Sequence, residues 1–492
     1  MNNKNIIKTV LILLFVVVNT GCESDWFDEE SSMQLSAEEQ FETSDGFKDA
    51  LIGAYLGMTA EELYAEDMTW NMVDLLSQQY AALPVQGVYS SIQQFNYESV
   101  RSSGQIEGIW SKAYNVIANI DLALEMTDKN RGVLGEIDYA LIRGELLGLR
   151  AFLHFDLLRL FGHGNLENRQ GLMGEYTIPY VKTFSKNVTP QRTYSDTFEL
   201  LHEDLEEALG LLNSDPVYNE ERPEDYFNDA NREGFYDNRE QRMNYYAVKG
   251  LQARVFQWEG EQQKAANAAE EVIQNSFAQL INSETYPVAS DKIFYQELLF
   301  SLDIDAFADI INDQLTANTE ASNNVNAVYY TSSYVRQIYE TDSITIGLAD
   351  VRFNTFMETQ SKGVANIKLL QRNISTETFN QMPLIKLPEM YYIAAEANAK
   401  TGNLGKAIMY IEEVRKSRGI LNNLSVNSTV EEILAEVRKE YQKEFLTEGQ
   451  LFYYYKRTGE TKIPGINNSN IIPDDDIYVL PYPDNEIEFG NR

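Results

Sequence analysis

Hydrophobic positions recur most regularly between Pro383 and Gly419, in the stretch PLIKLPEMYYIAAEANAKTGNLGKAIMYIEEVRKSRG. Met390, Ile393, Ala394 and Ala397 stand at i, i+3, i+4 and i+7, the spacing of one buried helical face. Pro388 suits the first turn, where its missing N–H is not needed, and Gly402 stands where a left-handed residue ends a helix. Leu404, Ala407, Ile408, Ile411 and Val414 mark a second helix, closed by Gly419. The short link makes the two helices antiparallel neighbours, and the alanines let their axes approach closely.

The same offsets return at Tyr245–Ile273, where Ala253, Gly260 and Ala265 are spaced as Ala395, Gly402 and Ala407 are. Two such hairpins resemble tetratricopeptide units, with other segments between them. Further helices are predicted after Ser44 as cap (Phe47, Leu51, Ala54), over 106–126 (Trp110, Ala113, Ile117, Ile120, Leu124) and over 143–162 (Leu146, Leu149, Leu153, Leu157, Leu160). Another begins after Ser195 (Phe198, Leu201, Leu205, Ala208, Leu212), and one follows Thr429 as cap (Ile433, Val437, Tyr441, Phe445). Periodicity fades in 59–105, expected as a helix plus surface loops, and in 213–244, expected as a surface insertion. Residues 280–382 predict an irregular lobe with short strands such as 366–370. The expected fold is mostly α: interrupted tetratricopeptide-like hairpins with an irregular lobe containing a few short strands.

The amino terminus changes the picture. Lys4 and Lys8 precede the apolar run 10–18, too short to span a bilayer, which needs about 20 apolar residues. Asn19-Thr20-Gly21-Cys22 resembles the lipobox of bacterial lipoproteins, although Asn19 replaces the usual aliphatic residue. Cys22 is the chain's one cysteine and the expected lipidation site. The acidic run 23–30 resembles the surface-export signal of Bacteroidetes lipoproteins. The predicted organisation is a signal peptide 1–21, an acidic tether 22–40, and a helical repeat region 41–279 with insertions at 59–105 and 213–244. An irregular ligand-binding lobe at 280–382 and a C-terminal helical region with tail at 383–492 complete it.

In 492 residues, 43% hydrophobic and 12% aromatic, the chain has the composition of a globular protein rather than a disordered one. A net charge of −35 excludes a phosphate-neutralising, nucleic-acid-binding surface. Past Cys22 no disulfide can form, and the histidines, His154, His163 and His202, are too few for a histidine-rich metal site. No HExxH, G-x-S-x-G or phosphate-cradling glycine loop is present. With 75 acidic residues, pairs such as Glu206-Glu207 and Glu431-Glu432 are expected by chance and read as solvated helix faces. Neither a catalytic residue, a metal ligand nor a cofactor is predicted.

Taken in order, these blocks resemble the SusD/RagB family of Bacteroidetes outer-membrane lipoproteins. The motifs are Trp110, Tyr114 and Ala118-Asn119; Leu149-Arg150-Ala151-Phe152 with Phe155-Asp156-Leu157, Arg159 and Leu160-Phe161-Gly162; and Thr193 with Asp204-Leu205. Residues 384–397, Glu444-Phe445, Glu448-Gly449, Arg457, Leu480-Pro481, Pro483 and Glu486-Ile487 continue the series, with Lys386 and Tyr441 where arginines are usual. These residues are expected to pack and brace helices. The resemblance implies four tetratricopeptide-like units and a lipid-anchored, cell-surface protein without catalytic activity. It implies a lid on a TonB-dependent outer-membrane transporter (SusC-like) that captures glycans or, as the alternative, peptides. A purely structural transporter subunit and a surface glycan hydrolase are the readings from other classes.

Aromatics in the irregular segments are the candidate ligand contacts: Trp70, Tyr80 and Tyr89 from one, Tyr329, Tyr330 and Tyr334 from the other. Flat rings with a polar edge suit sugar C–H faces and peptide side chains alike, and one pocket is expected to draw on both groups. Tyr391 and Tyr392, at helical spacing, are expected in the core.

Overall fold

The chain's structure, a computed structural model, describes residues 37–490 apart from 220–225, 319–323 and 467–468. The expected signal peptide, Cys22 and most of the acidic tether lie outside the described residues. Ten helices of eight or more residues carry the described fold: α1 (Ser44–Met58), α2 (Val100–Lys129), α3 (Glu136–Phe161), α4 (Tyr194–Leu211), α5 (Tyr245–Glu259), α6 (Gln262–Asn275), α7 (Leu387–Lys400), α8 (Leu404–Ser417), α9 (Val430–Glu444) and α10 (Leu451–Thr458). The first eight form four pairs, α1 with α2, α3 with α4, α5 with α6 and α7 with α8. Each pair packs on the next, α2 against α3, α4 against α5 and α6 against α7. The two hairpins with matching spacing, parted in sequence by residues 276–386, therefore touch. The row is interrupted along the chain and continuous in space.

Local chemistry ends these helices where the hairpin spacing requires. Gly260 and Gly402 adopt φ +95° and +89° after α5 and α7, left-handed values that other residues resist. Thr429 opens α9 with a full capping box, completed by Glu432. The expected cap at Ser44 shifts to Thr43, which accepts from Gly46 N, and the helix expected after Ser195 starts at Tyr194, where Thr193 accepts from Asp196 N. In each case the oxygen must sit three residues before the N–H it satisfies. α3 is buried on all sides because α1, α2 and α4 all pack on it.

The strands are few and short: β1 (Tyr176–Pro179) with β2 (Gln191–Thr193), β3 (Leu298–Asp303) with β6 (Gln381–Lys386), and β4 (Met357–Thr359) with β5 (Val364–Asn366), all antiparallel. Ser301 lies opposite Pro383, so residues 383–386, expected as the approach to a helix, form a buried strand that runs straight into α7.

The expected surface loops at 59–105 are a second correction. Leu63, Tyr64, Trp70, Met72, Leu75 and Tyr80 are buried, and Tyr64 donates to Asp156 of α3 at 2.8 Å. This stretch fills the core through tight turns, which leave no helical period to read. The insertion at 213–244 also turns inward, where Arg239 binds Asp215 and Glu145 inside the protein.

Buried ion pairs brace the row from helix to helix. Arg150 of α3 reaches Asp121 of α2 at 2.8 Å and Asp204 of α4 at 2.7 Å. Arg254 of α5 holds Glu389 of α7 at 2.6 Å, and Arg457 of α10 grips Glu396 of α7 at 2.6 and 2.7 Å. Glu444 of α9 collects Lys386 at 2.8 Å, Arg352 at 3.0 Å and Arg418 at 3.1 Å. Removing one partner of such a set strands a charge away from water. His154 is a core residue: burial holds its pKa down to about 3, its ring stacks on Tyr180, and its Nε2 accepts from Val181 N.

Candidate ligand site at the aromatic junction

The two aromatic segments, far apart in sequence, meet. Ala81 N donates to Tyr329 O at 2.8 Å, Val88 N donates to Asn326 Oδ1 at 3.0 Å, and the Tyr334 hydroxyl donates to Gln79 at 3.3 Å. Tyr330 exchanges backbone hydrogen bonds with Val364 of β5 at 2.8 and 2.9 Å, which pins the segment to the irregular lobe. Gly363, beside that bridge, allows the close approach. A Cβ there would lie 2.5 Å from Tyr330 O and 2.9 Å from the Tyr329 ring.

Of the six predicted contact residues, three are not available to a ligand. Trp70 is 0%, Tyr80 2% and Tyr330 1% exposed. The Trp70 Nε1 donates to Ala65 O at 2.7 Å, the Tyr80 hydroxyl donates to Trp70 O at 2.7 Å, and the Tyr80 and Tyr330 rings pack at 4.9 Å. Each ring face is covered and each of these two polar edges is satisfied inside, so they hold the junction together. Tyr89, Tyr329 and Tyr334 are half-buried. Tyr334 lies parallel to Tyr330 at 6.3 Å, and its hydroxyl also accepts from Gln442 of α9 at 2.7 Å. Tyr89 donates to Glu66, and the exposed Val85 and Val88 precede it. Tyr391 and Tyr392 are buried, in keeping with a core role.

Polar residues that aromatic composition did not single out complete the junction. Glu66 accepts from Asn71 and Tyr89, and Asp67 accepts from Gln105 of α2 at 2.9 Å. Burial pushes both carboxyls up from their ordinary range, and Glu66 adds to the effect on Asp67. Asp74, fully buried, is pushed up to about 8 by burial, against the pull of Lys368 and the Thr447 and Gly449 amides. The run Glu61-Glu62…Glu66-Asp67 is visible in the sequence, but among so many acids it carries no signal of its own. Among the described residues no three His, Cys, Asp or Glu side chains converge as a metal-binding group, and no helix is long and apolar enough to cross a membrane.

Comparison with known proteins now bears on the whole architecture. The profile of the SusD family matches residues 165–488, and a profile described as starch-binding associating with outer membrane matches 25–226. The chain belongs to the SusD family. No curated protein sequence shows a significant match to it. A SusD superfamily protein from Bacteroides thetaiotaomicron is similar at TM-score 0.72 and 22% identity, over 91% of this chain and 98% of its own. A putative sugar binding protein from Bacteroides vulgatus gives 0.67 and 22%, over 89% and 91%. A SusD-like carbohydrate binding protein from the same species gives 0.70 and 18%, over 91% and 96%. These likenesses show the fold. Of the residues on which the sequence resemblance rested, Arg150, Asp156, Arg159, Lys386 and Glu444 are buried, and Arg457 pairs with the buried Glu396.

Proposed function

We propose that this SusD-family chain is a non-catalytic surface lipoprotein. It captures oligosaccharides at the aromatic junction and passes them to a partner TonB-dependent outer-membrane transporter. Tyr89 and Tyr329, with the edge of Tyr334, supply the ring surfaces, while Trp70, Tyr80 and Tyr330 hold them from beneath. The observation that carries this reading is the convergence of two remote irregular segments into one rim of half-buried tyrosines on a braced helical row. Rings of this kind offer an apolar face and a polar edge, the combination that sugar rings require. The carbohydrate-binding descriptions of two structural neighbours support the same ligand class. Cys22 at the end of an apolar leader supports anchoring through acyl chains. The outer face of the helical pairs is the surface assigned to transporter docking.

The test is a binding screen of residues 23–492 against neutral oligosaccharides and peptides, with the ligands recovered and weighed by mass spectrometry. Saturable binding of an intact oligosaccharide is expected. Cleaved products would support a hydrolase, peptide binding alone would support the peptide-capturing alternative, and no binding would favour a structural subunit.

A further inference from the structure

A cavity of about 390 Å³ opens between the last turns of α1, the turn 234–242 and the end of β3. It shares no lining residue with the aromatic junction, and its volume falls in the range of small-molecule sites, about 300–1,000 Å³. The insertion 213–244 supplies one wall through two left-handed residues, Gly234 at φ +74° and Asn238 at φ +54°. Between them Asp237 is fixed: its N donates to Gly234 O and its Oδ1 accepts from Asn231, both at 3.0 Å.

The side chain that sets this cavity apart is Arg242, only 6% exposed. Its guanidinium lies 4.4 Å from the centre of the Phe235 ring and 5.3 Å from that of Tyr55. Among the described residues it makes a single hydrogen bond, from Nη2 to Phe235 O at 2.8 Å. Glu145 stands 3.8 Å from Nε, beyond hydrogen-bond reach, and is already held by Arg239 and the Tyr55 hydroxyl. Arg150, Arg239 and Arg418, equally buried, each fork onto a carboxylate instead. Arg242 therefore brings spare N–H donors to the cavity wall.

The remaining walls differ in kind. Asp237, Asp303 and Asp305 are exposed and hold no ion pair among the described residues. Ile52 and Leu56 of α1, 37% and 59% exposed, add an apolar side. An anion would meet three carboxylates against one arginine, and a cation would meet the guanidinium. Hydroxyl groups satisfy both, since each accepts from a guanidinium and donates to a carboxylate. We propose that this cavity is a second saccharide subsite, which takes one neutral hexose unit. Arg242 donates to its oxygens, the aspartates accept from its hydroxyls, and its C–H face covers Ile52 and Leu56. The subsite shares its ligand class with the proposed function and its residues with no part of the rim, so the two can fail separately.

The experiment is a set of ligand-observed NMR titrations on residues 23–492. The probes are methyl hexopyranosides of the gluco, manno and galacto series, glucuronate, and the dipeptide Gly-Leu. At least one methyl hexoside is expected to bind, in the parent chain and in Tyr329→Ala alike, more tightly than glucuronate or Gly-Leu. Within the Tyr329→Ala background, Arg242→Lys keeps a charge beside Glu145 and loses the forked donors, and should lower that affinity about tenfold. Asp303→Asn combined with Asp305→Asn changes exposed positions only, and should lower it by about as much. Hexoside binding that disappears in Tyr329→Ala would assign the sugar to the rim alone, overturning the subsite and leaving the proposed function standing. No hexoside binding to either chain would also overturn it. So would tighter binding of glucuronate or Gly-Leu, or an affinity that survives Arg242→Lys and the double aspartate variant alike.

Discussion

The helical row and the aromatic junction bury charge in opposite ways. In the row, carboxylates are crossed by cations from neighbouring helices, as Glu396 is by Arg457 and Glu444 by Arg352, Lys386 and Arg418. At the junction, Glu66, Asp67 and Asp74 are met by amides, hydroxyls and backbone N–H groups. Paired charges fix helices in one register. Acids without a cation in direct contact are left to burial, which pushes their carboxyls up. A rigid scaffold and the rim proposed to receive ligands would call for these two solutions.

The largest expected effect breaks the row. Glu444→Gln leaves Arg352, Lys386 and Arg418 short of a shared counter-charge inside the protein. Equilibrium denaturation should show a loss of about 3–5 kcal/mol. An unchanged midpoint would mean that the network contributes nothing to stability.

Next comes pH, to which the two regions should respond with opposite sign. In the row, burial raises the Glu396 pKa, but Arg457 and Lys400 overcome it and hold the value down to about 2, against an ordinary 4.5. Its contribution, about 3 kcal/mol, is present above pH 4.5 and disappears as pH falls toward 2. Asp74 has its pKa raised from 3.8 to about 8, so the stability linked to its proton is complete below 3.8 and lost as pH rises through 8. Asp74→Asn should therefore unfold later than the parent chain at pH 8–9 and converge with it near pH 4. Parallel pH profiles for parent and variant would contradict the raised value.

A smaller effect tests the junction's packing. Gly363→Ala places a methyl group 2.5 Å from Tyr330 O and 2.9 Å from the Tyr329 ring, so the ring or the β5 bridge must shift. A destabilisation of about 1–3 kcal/mol, with altered ligand affinity, is expected from thermal melts and titration calorimetry.

The helical row is largely legible from the residues and the junction much less so, for physical reasons. The hairpins announced themselves because a 3.6-residue period and a left-handed glycine survive in sequence, as at Met390–Ala397 and Gly402. The contact between α6 and α7 was not visible, since 276–386 separate them in the chain. β3 and β6 pair over a similar distance, and their hydrophobic runs look alike whether they meet or not. The stretch 63–80 was read as surface because chain in tight turns shows no period even when its side chains are core. The meeting of two aromatic segments was anticipated, but not which rings would be covered. Covering depends on Trp70, Tyr80 and Tyr330 finding partners at Ala65, Trp70 O and the Tyr80 ring, all set by tertiary packing. Glu66 and Asp67 were hidden by the abundance of acids, and only their lack of a cation in three dimensions sets them apart.

The central claim, that ligand binding rests on the half-buried tyrosines and stability on the covered ones, is tested most directly by paired calorimetry on Tyr329→Ala and Tyr330→Ala. With an oligosaccharide that binds the parent chain, Tyr329→Ala should lose about tenfold in affinity, about 1.4 kcal/mol, and keep its melting midpoint. Tyr330→Ala should lose about 3–5 kcal/mol of stability. Unchanged affinity in Tyr329→Ala, or cleavage of the oligosaccharide during the titration, would contradict the account.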